Sequence, residues 1–130
     1  LKGNSEIRLG SLSPTRDLTF VLDTCAGFLE IYKSEKLFGE IVNIGMNEEI
    51  SIRDLAEKIA KLIGKKIKFI CEEQRVRPDA SEVEQLLCNN EKLCKFTDWG
   101  PNYDLEKGLL ETIEWFKNSS VKYKSELYSV

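Results

Sequence analysis

The 130-residue sequence contains no histidine, so the side chain that most often serves as a general base near neutral pH is missing. Its four cysteines (Cys25, Cys71, Cys88 and Cys94) include no C-x-x-C pair, the spacing typical of a closed zinc site. No apolar run reaches membrane-spanning length, and the first residues do not resemble a signal peptide. We therefore expect no metal, no membrane partner, and reduced thiols in a cytoplasmic protein.

The charge of the chain also argues against a nucleic-acid-binding protein. The net charge is −3, and no basic stripe runs along the sequence. Hydrophobic residues make up 42% and charged residues 32% of the chain, as in ordinary globular proteins. This length predicts one domain or a piece of one, which we assign to residues 1–118, with 119–130 as a frayed tail.

Two stretches have the periodicity of amphipathic helices. Ser51 and Asp54 resemble a capping box, and apolar residues then recur at helical spacing until Gly64, which suits a C-terminal cap. Asp104 precedes the second stretch, which ends near Asn118. We expect both stretches to be helical.

Shorter patterns complete an α/β prediction. A helix is expected from Thr24 to Ser34, capped by Asp23, and a short one from Asn90 to Phe96, so the helices number about four. The expected strands are short and cover residues 6–9, 17–21, 40–44, 66–70 and 86–88. So few short strands make a poor independent sheet, which indicates that the chain is cut from something larger.

Two arginines are the main candidates for binding a ligand. Arg16 follows Pro14 in a turn, and Arg77 precedes Pro78, which biases it towards an extended conformation. Two guanidinium groups can hold one diphosphate in a forked geometry, and Asp79 can accept a hydrogen bond from a ribose hydroxyl. The alternatives are an ion pair of Arg16 with Asp17, Asp23 or another carboxylate, and a solvated charged loop around Arg77.

Three apolar residues are weaker candidates. Ile7 and Leu9 can present backbone groups and apolar surface to a base, but from the residues alone an ordinary edge strand explains them better. Met46 follows the predicted strand 40–44, and ligands of α/β sheets gather beyond the carboxyl ends of strands. A plain turn is the alternative there.

The order of several motifs resembles one known family. The motifs are Leu9-Gly10, Pro14-Thr15-Arg16-Asp17, Val21-x-Asp23, Asn43-Ile44-Gly45, Arg77-Pro78-x-x-Ser81-Glu82-Val83, Trp99-x-Pro101, Gly108-Leu109 and Trp115-Phe116. Up to about Phe116, the chain resembles the C-terminal substrate-binding portion of extended short-chain dehydrogenases that act on nucleotide sugars. Within this NAD-dependent epimerase and dehydratase family, it is most similar to the 4,6-dehydratases, with 4-epimerases as close alternatives.

This resemblance implies a small C-terminal domain of a Rossmann-type enzyme. It implies that Arg16 and Arg77 hold the diphosphate of a UDP-, GDP- or CDP-linked sugar, that Asp79 lies near the ribose, and that Ile7 to Leu9 border the base. It places NAD binding and the catalytic tyrosine and lysine upstream of Leu1, so we expect no catalytic residue here and no activity from this chain alone. The complete enzyme is expected to be a homodimer. A non-enzymatic nucleotide-binding or interaction module is the remaining alternative.

Overall fold

The computed structural model describes residues 5–75 and 82–119. These residues form five short strands and four α-helices. The strands are β1 (Glu6–Leu9), β2 (Thr15–Arg16), β3 (Ile50–Ser51), β4 (Lys68–Cys71) and β5 (Gln85–Leu86), and the helices are α1 (Val21–Lys33), α2 (Ile52–Leu62), α3 (Glu91–Phe96) and α4 (Leu105–Asn118). The predicted α/β class, with short strands and about four helices, is confirmed.

The strands form two small sheets. In the first, β1 and β4 run parallel, with Glu6 opposite Lys68 and Leu9 opposite Cys71. In the second, β2 is the central strand, antiparallel to β3 and parallel to β5. Arg16 therefore lies on the middle strand of a three-stranded sheet.

Helix α2 forms where local signals predict it. The Ser51 hydroxyl oxygen accepts a hydrogen bond from the backbone N–H of Asp54 at 3.0 Å, as in an N-terminal cap. At the other end, Gly64 adopts a φ of 68°, a conformation that favours glycine and ends the helix. Helix α4 begins in the same way, since the Asp104 carboxylate accepts the N–H of Lys107 at 2.8 Å.

Helix α1 differs from its prediction. It begins at Val21, and the predicted strand at 17–21 is wrong, because the strand is β2 at Thr15–Arg16. Asp23 does not cap the helix. Its buried carboxylate instead accepts the backbone N–H groups of Asn102 and Tyr103, each at 3.0 Å. This carboxylate ties the first turn of α1 to the segment before α4.

Residues 40–44 do not form the predicted strand. None of the described elements pairs with this segment, and the side chain of Ile41 is 85% exposed. Ile44 does find a partner, because it packs where the missing side chain of Gly27 leaves room on α1. A strand needs a hydrogen-bonded neighbour, and within the described residues this sequence lacks one.

The core of the described residues is small. Its buried apolar side chains are Leu12, Leu37, Ala60, Leu93 and Trp99. Many larger apolar side chains remain exposed, including one stripe along α1 formed by Val21, Leu22, Phe28, Leu29 and Tyr32. This apolar surface of α1 therefore faces outwards in the structure.

Candidate functional site

Arg16 is held in place by two hydrogen bonds. Its Nη1 donates to the backbone carbonyl oxygen of Thr15 at 2.7 Å, and its Nη2 donates to Oε1 of Glu82 at 3.3 Å. The ion pair that the sequence left open is therefore formed, and its partner is Glu82. A guanidinium has five N–H groups, so contacts with the described residues leave about three of them for another acceptor.

Asp17 joins the strand of Arg16 to the loop that carries Met46. Its Oδ1 accepts the backbone N–H of Met46 at 2.9 Å, and its Oδ2 accepts those of Asn47 at 2.9 Å and Cys88 at 3.2 Å. This close approach requires Gly45, since a Cβ there would lie 2.3 Å from the Cβ of Cys88. Asp17 is thus a fixed hub between three segments rather than the ion-pair partner of Arg16.

Met46 lines a small cavity next to this hub. The cavity has a volume of about 50 Å³ and is formed by Leu18, Met46, Glu48, Glu49, Ile50 and Leu105. Pockets that enclose a ligand are typically about 300–1,000 Å³, so this space alone does not accommodate a nucleotide. Met46 is therefore placed near the sheet of Arg16, and its contact with a base stays a prediction.

Glu49 directly precedes β3 and binds to the other two strands of the Arg16 sheet, β2 and β5. Its Oε2 accepts the Thr15 hydroxyl at 2.8 Å and the Gln85 side-chain amide at 2.7 Å. These hydrogen bonds hold the pKa of Glu49 below its ordinary value, with the Gln85 bond as the larger cause. The sequence alone gave no sign of this cluster, because its members come from distant positions.

Ile7 and Leu9 lie in the other sheet, on β1. Ile7 is 38% exposed and Leu9 is half-buried. Between them, Arg8 pairs with Glu72 at 3.3 Å, and Glu72 also accepts from Nε of Arg75 at 2.5 Å. The bond to Arg75 lowers the pKa of Glu72. The roles of Ile7 and Leu9 beside a base stay predictions.

Arg77 and Asp79 lie outside the described residues, so their positions are not compared with that of Arg16. Their predicted roles stay predictions. Glu82, from the same motif, is the first residue described after this gap, and it contacts Arg16 directly. The motif therefore reaches the candidate site through at least one side chain, although sequence reasoning gave Glu82 no role.

Two tyrosines, Tyr32 and Tyr103, have a lysine four residues later, which is the spacing of catalytic tyrosine–lysine pairs. Neither pair has a catalytic arrangement in the structure. Tyr32 lies on α1, whereas Lys36 lies beyond its end in the 3₁₀ turn Glu35–Leu37. The Nζ of Lys107 sits 4.1 Å from the ring centroid of Tyr103 and donates to the Asn102 carbonyl oxygen. Lys107 therefore covers the face of the ring, an arrangement that stabilises α4 and does not by itself indicate catalysis.

Metal clusters and membrane-spanning helices are both absent from the described residues. Among the described residues, no three cysteine, aspartate or glutamate side chains converge in a way that suits a metal ion. In the same part of the chain, none of the helices has the length and apolar character needed to cross a membrane.

Comparison with known proteins identifies the family. The family model of GDP-mannose 4,6-dehydratase matches residues 1–112. The chain belongs to this family of sugar-nucleotide epimerases and dehydratases. A UDP-N-acetyl-alpha-D-glucosaminuronate decarboxylase of Bacillus cytotoxicus is 32% identical over 119 residues, which are 90% of this chain and 37% of that protein.

Solved structures agree with the sequence comparison. Pal from Bacillus thuringiensis is 36% identical with a TM-score of 0.74, over 86% of this chain and 34% of that one. The UDP-glucuronic acid 4-epimerase of Bacillus cereus, solved with UDP-glucuronic acid and NAD, is 26% identical with a TM-score of 0.74 and the same coverage of 86% and 34%. The chain thus spans about a third of the length of these relatives.

Proposed function

We propose that this chain is the nucleotide-sugar-binding region of an NAD-dependent sugar-nucleotide 4,6-dehydratase. The observation that carries the proposal is Arg16, which lies on the central strand of its sheet, enclosed and oriented, in a chain of the GDP-mannose 4,6-dehydratase family. A guanidinium fixed in this way suits a diphosphate, because it offers several donors in one plane.

The other predicted contacts complete a clamp. Arg77 supplies the second cation for the diphosphate, and Asp79 accepts a ribose hydroxyl. Ile7, Leu9 and Met46 border the base. In this arrangement the chain holds the nucleotide so that the sugar meets reactive groups supplied elsewhere, which contributes through orientation rather than through bond breaking.

The described residues do not fit the pyrophosphate of NAD. Strand β3 runs directly into α2, where a dinucleotide would approach a helix N-terminus, but no glycine-rich turn lies there. The Ser51 hydroxyl already caps this helix, and the nearby carboxylate of Asp54 would repel a pyrophosphate. We therefore assign NAD to a part of the whole protein outside the described residues and derive no step through it.

The proposal also covers the oligomeric state, the domain assignment and the cellular location of the whole protein. A homodimeric enzyme, with residues 1–118 as its substrate-binding domain, is the arrangement we expect. A cytoplasmic location fits the cysteines, which form no disulfide in this structure. Without the remainder of such an enzyme, the chain would bind and not catalyse.

A titration series tests the diphosphate assignment. The purified protein is titrated with UDP, GDP, UMP and uridine by isothermal calorimetry. If the clamp grips the diphosphate, UDP or GDP binds and the two ligands without a diphosphate bind much more weakly. Equal affinity for uridine and UDP would mean that the base alone is recognised, and the proposed clamp would be wrong.

A 4-epimerase is the second candidate, because one structural neighbour is an epimerase bound to UDP-glucuronic acid. The two reactions differ in product, since elimination of water changes the mass of the sugar and epimerisation does not. Incubation of the whole protein with NAD and GDP-mannose or UDP-glucuronic acid, followed by mass spectrometry and chromatography of the nucleotide sugar, separates them. An unchanged mass with a new stereoisomer would favour the epimerase.

A further inference from the structure

Glu82 forms the most enclosed ion pair among the described residues. Its side chain is 13% exposed and that of Arg16 is 22% exposed. Each of the other ion pairs between described residues includes a side chain that is more than a third exposed. Exposed pairs hold their partners loosely, whereas an enclosed pair restricts both side chains.

Two anchors at different nitrogens fix the plane of the guanidinium. Nη1 is held by the Thr15 carbonyl oxygen and Nη2 by the Glu82 carboxylate. The sheet in turn fixes Glu82, because β5 begins shortly after it and the N–H of Thr15 donates to the Glu84 carbonyl oxygen at 2.8 Å. The carboxylate is therefore supplied from the segment that leads into β5, the strand next to Arg16.

This arrangement prepares Arg16 for a ligand. A long side chain that is mobile before binding loses rotamer freedom when it is captured, and that loss weakens affinity. Arg16 is already ordered, and the N–H groups that do not bond to Thr15 or Glu82 remain for an acceptor. We propose that Glu82 is a positioning residue that holds Arg16 ready for the diphosphate of a nucleotide ligand; this inference rests on the function proposed above.

Glu82 could instead weaken ligand binding by Arg16, and this opposite role predicts a different effect of its removal. A carboxylate beside Arg16 can also compete with a phosphate for the same guanidinium, and its negative charge repels the ligand. If competition prevailed, removal of the Glu82 charge would tighten binding. If positioning prevails, the same change weakens binding, so the sign of the effect decides between them.

The test compares UDP affinity across matched variants of the purified protein. Glu82→Gln keeps the size of the side chain and removes its charge. Glu106→Gln makes the same change in an exposed ion pair with Lys58, away from Arg16, and serves as the control. We expect Glu82→Gln to bind UDP about three- to tenfold more weakly, the factor that corresponds to ordering one long side chain, and Glu106→Gln to bind as the original protein does.

A double variant separates positioning from general stabilisation. If Glu82 acts through Arg16, the variant with both Arg16→Ala and Glu82→Gln binds UDP no more weakly than Arg16→Ala alone. Unfolding midpoints are measured in parallel, so that all titrations are made on folded protein. Unchanged or tighter binding by Glu82→Gln, or additive losses in the double variant, would overturn the inference while leaving the nucleotide site in place. Absence of UDP and GDP binding by the original protein would instead overturn the proposed function, and this inference with it.

Discussion

Replacement of Asp23 should show how strongly its carboxylate holds the first turn of α1 to the segment before α4. The Asp23 side chain is 1% exposed, and its two carboxylate oxygens accept the N–H groups of Asn102 and Tyr103. Its backbone carbonyl oxygen also accepts the indole N–H of Trp99 at 3.0 Å. Asp23→Ala removes both side-chain acceptors and leaves the carbonyl in place, so the effect reports on the carboxylate alone.

The structure sets the size of the effect. Both hydrogen bonds are part-buried, and an N–H left there without an acceptor costs about 1–3 kcal/mol, so the two together give at most about 2–6 kcal/mol. Removal of the carboxylate also removes the cost of its own burial, which offsets part of that sum. We therefore expect Asp23→Ala to lower the free energy of unfolding by about 2–4 kcal/mol, a large share of the 5–15 kcal/mol typical of a domain. Asp23→Asn keeps one acceptor oxygen but turns an amide NH2 towards the other N–H, so it should also destabilise the fold.

Urea unfolding followed by tryptophan fluorescence measures these differences, and Asp104→Ala provides the control. Asp104 is an exposed carboxylate that accepts a single backbone N–H, so its loss should cost about 0.5–2 kcal/mol. If Asp23→Ala were no more destabilising than Asp104→Ala, the buried carboxylate would not join α1 to the segment before α4, and the argument would be refuted.

Two further predictions concern titration. Burial, and to a lesser degree the charge of Asp17, raises the pKa of the Cys88 thiol. Iodoacetamide should therefore alkylate Cys88 more slowly than the exposed Cys25. Equal alkylation rates, measured by peptide mass spectrometry, would contradict this prediction. The pKa of Glu72 is lowered in the folded chain, so its contribution to stability is present above its ordinary pKa and is lost as pH falls through the lowered one. The destabilising effect of Glu72→Gln on the urea midpoint should therefore be seen at about pH 6 and vanish at about pH 2, and a constant difference would oppose it.

Local signals explain why α2 and α4 follow from the sequence. Ser51 and Asp104 accept N–H groups three residues away, so their caps can be recognised without knowledge of the rest of the fold. The first turn of α1 is instead held by Asp23, whose partners lie 79 and 80 residues further along the chain. A pattern of apolar residues between 17 and 21 cannot show that long-range contact, so the strand that it predicts is wrong.

Residues 40–44 show why a short apolar segment does not by itself predict a strand. Their apolar and β-branched character is typical of a buried strand, but a strand forms only beside a partner. The described residues supply no such partner, and Ile41 is exposed. At the candidate site, Arg16 was found from its motif, whereas its partner Glu82 lies 66 residues away and is recognised only from the fold.

Nucleotide binding by Arg16 is the central claim, and one comparison tests it most directly. Arg16→Ala and Arg53→Ala remove the same charge, but Arg53 is exposed on α2 and lies outside the proposed clamp. Each protein is titrated by calorimetry with UDP or GDP, whichever binds the original protein more tightly. Arg53→Ala should bind this ligand with an affinity similar to that of the original protein. Arg16→Ala should bind it at least about tenfold more weakly, because a charge-assisted hydrogen bond contributes about 1.5–3 kcal/mol. Equal affinities for the two variants would contradict the proposed role of Arg16.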